Sequence, residues 1–211
     1  MGDTMGVRLL CRTALVAVLF LITTSAFAHH VMGGATPVTV VEGLLSGIGH
    51  PVIGADHLAF LFAIGIAVGV GGLNLALPAL FVTASAIGVM LHVNGIHVPG
   101  AEIVIACSVL MAGFLIARGR ALSVWLWAGL FAVAGLFHGY AFGESIAGAE
   151  TSPLHAYLVG LILIQSAISV GTALFLRWRG FGISELMPRL AGATIIGVGF
   201  FAFIGQVTPG A

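Results

Sequence analysis

The segment GHPVIGADH brings His50, Asp56 and His57 within eight residues of one another, and LFHGYAFGESIAGAE brings His138, Glu144 and Glu150 within thirteen. Imidazole suits nickel, cobalt, zinc and copper, whereas a magnesium or calcium site is built from oxygens, so these types in company point to a divalent transition metal. Pro51 removes a backbone donor and favours a chain break, and Gly54 lets a helix or an ion come close. With Val52 onward helical, Asp56 and His57 stand about a turn and a half along the helix and His50 near its mouth. The three then converge on one ion, the carboxylate binding it or orienting an imidazole. The same cluster also reads as hydrogen-bonded histidines that only hold helices together. In the second segment His138 is expected to be the last helical ligand, with Gly139 and Gly143 turning the chain and Glu144 folded back over the site.

Weaker candidates surround these five. His29, with His30, would collect ions at the expected mature N-terminus. His92 and His97 flank the tight-turn pair Asn94-Gly95 and read equally as vestibule ligands or plain loop residues. Glu102 follows Pro99-Gly100, where an acid favours a helix start in its own right. Glu150 is a loop carboxylate, commonly just solvated, and His155 follows Pro153 at the start of a helix.

The elements that position these residues belong in a bilayer. Of 211 residues, 60% are hydrophobic and 7% charged, against about a quarter charged in a soluble domain. Seven arginines balance seven acids and lysine is absent, so net charge indicates no nucleic-acid partner. Cys11 and Cys107 suggest neither a disulfide framework nor a thiolate metal site. Residues 1–28 read as a cleavable signal peptide: Arg8 and Arg12, an apolar stretch from Ala14 to Ile22, and Ala26-Phe27-Ala28. Residues 29–211 read as one all-α membrane domain with six expected spans, at 52–70, 75–93, 101–117, 122–140, 154–176 and 190–207. The piece from Val38 to Gly49 reads as a half-helix or re-entrant segment before the first span. Trp125 and Trp127 are expected as interfacial anchors.

Orientation follows from charge. If the leader is cleaved and His29 lies outside, every arginine of the mature chain, Arg118, Arg120, Arg177, Arg179 and Arg189, falls on the cytoplasmic side, as the positive-inside rule asks. The histidines and nearly all the acids then gather toward the outer side of the plasma (inner) membrane.

The leader, the HPVIGADH segment, the PGAEIVIACSVL segment opening the third span and the FHGYAFGE segment closing the fourth together resemble the HupE/UreJ family of nickel and cobalt permeases. The likeness runs over nearly the whole mature chain, and HPxxGxDH is its most specific part. It implies secondary uptake of Co²⁺ or Ni²⁺ as substrate, with no permanent cofactor and with His50, Asp56, His57, His138 and Glu144 handling the metal. Many members read FHGxAHGxE; here Phe142 takes the place of the second histidine and the glutamate comes one position earlier, at Glu144. The FHGYAFGE form is similar to a branch associated with cobalt, as in cyanobacterial relatives.

No GxxxxGK[ST] motif occurs, so ATP hydrolysis of the P-loop kind is not expected, nor is the chain expected to be an enzyme. Two rival readings use the same residues: a membrane-embedded zinc hydrolase and a metal-sensing subunit without transport. The expected partners are the metal ion and the lipid bilayer, with a homo-oligomer left open.

Overall fold

The structure, a computed structural model, describes residues 35–208. The leader, its cleavage site, His29 and His30 lie outside the described residues. Seven helices and one 3₁₀ turn follow in order: α1 (Val40–Ile53), α2 (Ala55–Val70), α3 (Pro78–Val93), α4 (Ala101–Ala117), α5 (Val124–Phe142), the turn Gly143–Ile146, α6 (Thr151–Arg179) and α7 (Leu186–Val207). The described residues are thus all-helical.

α1 begins with a capping box. Thr39 Oγ1 accepts the Glu42 N–H at 3.2 Å, while the Glu42 carboxylate accepts from Val38 and Thr39 at 2.8 and 3.1 Å. α1 then runs through Pro51 to Ile53, so the chain breaks at Gly54, later than the Gly49 to Pro51 break expected from sequence. A proline in the last turn forfeits one backbone hydrogen bond. The halt comes at Gly54, whose extended backbone (φ −71°, ψ 108°) ends α1 and caps α2. Across this joint the two helices are bent by 80°.

α5 with its turn, α6 and α7 are each long and apolar enough to cross a membrane; α1 and α2 meet that test only together, as one bent pair. α3 and α4 are shorter apolar helices of 16 and 17 residues. α3 lies along α5, α4 along α7, and α1 then α2 along successive stretches of α6. Lipid gives helices no hydrophobic reason to associate, so close backbone contact must do it. A Cβ on Gly139 would strike the backbone of Ser85, and one on Gly192 would come within 2.6 Å of the Ala117 nitrogen.

The larger core gathers Phe60, Phe81, Phe131 and Trp127, and a smaller one Val89, Phe142, Ile146, Tyr157 and Leu161. Trp127 is therefore no interfacial anchor: it is buried with its ring 5.7 Å from Phe131, whereas Trp125 and Trp178 are exposed. Arg177 donates to the carbonyls of Val68 and Leu73, and Arg189 Nε to that of Ala117 at 3.1 Å. The arginines of the described residues thus share the end where α2, α4 and α6 finish.

Candidate metal site

The joint at Gly54 sets His50 on the last turn of α1 and His57 on the first turn of α2, their ring centroids 6.0 Å apart and edge to face. α5 supplies His138, wholly buried, whose Nδ1 lies 2.8 Å from His57 Nδ1. Phe142, one turn further along α5, packs against both His50 (5.1 Å) and His57 (4.4 Å), and Phe60 and Phe81 flank His138. Three imidazoles thus meet inside an aromatic wall.

Hydroxyl groups stand against the outer nitrogens of His138 and His50. Ser108 of α4 donates its one hydrogen to the Ile105 carbonyl (2.7 Å), so toward His138 Nε2 at 3.0 Å it accepts. With the Ser108 proton on the Ile105 carbonyl, His138 carries its own proton on Nε2 and turns the lone pair of Nδ1 toward His57 Nδ1. Tyr157 Oη donates to the Phe142 carbonyl at 2.7 Å, and Ser145 Oγ lies 3.1 Å from the same oxygen. Both hydroxyl oxygens face His50 Nδ1, at 3.2 and 2.8 Å, and Ser145 Oγ also lies 3.2 Å from Tyr157 Oη, so the ring joins a hydroxyl network.

Carboxylates stand beside the rings. Asp56 is half-buried and accepts the His57 N–H at 2.9 Å, which caps the first turn of α2. Glu144, on the 3₁₀ turn, and Glu102, on the first turn of α4, are both exposed. Among the described residues no three His, Cys, Asp or Glu side chains form a ready metal cage. What exists is a preformed pair of imidazoles with a third ring and an acidic mouth near it.

The sequence model of the HupE / UreJ protein family matches residues 16–202. The chain belongs to the HupE/UreJ family. Protein HupE of Rhizobium leguminosarum bv. viciae is 30% identical over 169 residues, which cover 78% of this chain and 86% of that protein. No solved structure matches the chain.

In this HupE/UreJ protein the five principal candidates fall into two groups. His50, His57 and His138 are brought together; Asp56 accepts the His57 N–H beside them, and Glu144 is exposed. α5 continues past His138 to Phe142 and ends at Gly143, so Gly139 serves close packing where a turn was expected. His92 is half-buried with its ring 4.7 Å from Tyr140, and its Nδ1 has no hydrogen-bond partner among the described residues. His97, Glu150 and His155 are exposed. Sequence reasoning missed Ser108, Ser145 and Tyr157. The one available signal was periodic: Pro153, Tyr157, Leu161, Gln165, Ser169 and Ala173 recur every fourth residue of α6, so its buried stripe carries hydroxyls and an amide.

Proposed function

We propose that this multi-pass HupE/UreJ membrane protein carries Co²⁺ or Ni²⁺ inward across the plasma membrane as a secondary transporter, with the FHGYAFGE form favouring Co²⁺. The outer acids Asp56, Glu102 and Glu144 draw the hydrated ion to the mouth, with His29 and Glu150 as further collectors. His50, His57 and His138 then exchange part of its water shell for nitrogen. A divalent ion moving down a membrane potential of about 100 mV gains about 4.6 kcal/mol, enough to drive accumulation without ATP.

The observation that supports this reading most is the His57–His138 pair: two buried imidazoles with their Nδ1 atoms 2.8 Å apart, one in contact with Ser108. Ionisable groups are costly there and persist where they handle ions or protons. The test is uptake of radioactive cobalt and nickel at trace concentration into cells lacking their own importers, comparing the protein with His57→Ala at matched membrane abundance. Uptake above background that disappears in the variant supports transport and ranks the metals. Equal background uptake from both rejects it and returns the zinc-hydrolase and sensor readings.

A further inference from the structure

His57 and His138 meet directly, nitrogen to nitrogen at 2.8 Å, whereas the His50 ring stands 6.0 Å from that of His57 between centroids. A side chain of α6 reaches His50 instead. Tyr157 is wholly buried, and its hydroxyl oxygen lies 3.2 Å from His50 Nδ1, 3.2 Å from Ser145 Oγ and 2.7 Å from the Phe142 carbonyl, to which it donates. One oxygen atom thus touches α1, the end of α5 and the 3₁₀ turn. Phe142 is one turn beyond His138, so this hydroxyl ties the ring of His50 to the helix that carries His138. The backbones meet at the same level: a Cβ on Gly47, about one turn before His50, would strike the Tyr157 carbonyl.

The contacts also fix which way the imidazole faces. Ser145 Oγ stands 2.8 Å from Nδ1, and turning the ring over would set a carbon against both hydroxyl oxygens. A role confined to satisfying the last carbonyl of α5 does not call for a tyrosine, because Ser145 Oγ already lies 3.1 Å from that oxygen. A phenylalanine would fill the same space.

Resting on the transport reading above, we infer that Tyr157 is a positioning residue for the divalent cation: its hydroxyl, with that of Ser145, holds His50 at Nδ1 and sets Nε2 as the ligating nitrogen. A histidine ligand is ordinarily held from behind in this way, by a hydrogen bond at the nitrogen that does not meet the metal. Tyr157 itself does not touch the ion. Without the hydroxyl the ring is less ordered before the ion arrives, and binding must supply that order.

The experiment measures equilibrium Co²⁺ binding to the purified full-length protein for wild type, Tyr157→Phe, His50→Ala and the double variant, with cobalt uptake into importer-deficient cells alongside. Tyr157→Phe keeps the ring and is expected to weaken Co²⁺ binding about tenfold or more. In the double variant it is expected to add less than about twofold to the loss from His50→Ala, because the hydroxyl acts only through that ring. A hydroxyl that merely packs would weaken both backgrounds alike, which overturns the inference, as does a Tyr157→Phe affinity within about twofold of wild type. Where His50→Ala binds too weakly to titrate, nitrogen chemical shifts of the metal-free protein decide: those of the His50 ring are expected to move in Tyr157→Phe, and unchanged shifts overturn the role. If Tyr157→Phe does not reach the membrane, Ser145→Ala, which removes the other oxygen at Nδ1, is read against His50→Ala in the same way. Wild type without uptake brings down the transport reading and this one together. Uptake at trace cobalt that needs His57 and is unaltered by Tyr157→Phe removes the positioning role alone.

Discussion

A serine hydroxyl has one proton to give, and with that proton on the Ile105 carbonyl Ser108 accepts from His138 Nε2 and so sets the tautomer of the ring. Groups that orient a ligand from behind typically change metal affinity or activity by about 10–100-fold when removed. Ser108→Ala is therefore expected to weaken Co²⁺ binding by about tenfold or more, and Ser108→Thr to retain it. Nitrogen chemical shifts of His138 in the metal-free protein report the tautomer directly; unchanged shifts and affinity in Ser108→Ala reject the assignment. The histidines themselves could be read from sequence because imidazole at membrane depth is conspicuous. Ser108, Ser145 and Tyr157 could not, since a hydroxyl carries no charge and its role appears only once the partner ring, up to 107 positions away, is in place.

For the helices, composition located the apolar runs well, and α4 matches its expected 101–117. The differences have local causes. α5 passes through Gly139 because that residue lets Ser85 approach, a contact between helices that no pattern within one helix reveals. α6 extends to 29 residues because it serves both α1 and α2, which share its length across the bend. Helix pairs joined through glycine should respond sharply to one added methyl group. Gly139→Ala is expected to lose about 1–3 kcal/mol by overpacking, seen as a lower thermal midpoint in detergent. Gly129→Ala, on the same helix with no atom within 4 Å of the added carbon, is expected to leave that midpoint unchanged or slightly raised. Equal midpoints for the two variants would show that the α3–α5 contact yields at little cost.

At the scale of the whole molecule, the clustering of arginines at one end agrees with an alternating path for α2 to α7, and that asymmetry could be read from sequence before any helix was placed. Sidedness then has a direct test. With Cys11 and Cys107 replaced by serine, a cysteine placed at Asn94 is expected to react with a membrane-impermeant maleimide on intact cells, and one placed at Arg120 only after lysis. The reverse pattern would invert the orientation and the direction of uptake with it. The joint at Gly54 adds something that side chains do not. There the carbonyl end of α1 meets the amide end of α2, and each carries about half an elementary charge, negative and positive respectively. Asp56 answers the positive end by accepting the His57 N–H, while the negative end lies on the turn that bears His50. With Asp56 offsetting the positive end, the negative end of α1 is left beside His50, and it stays there whichever one imidazole is replaced.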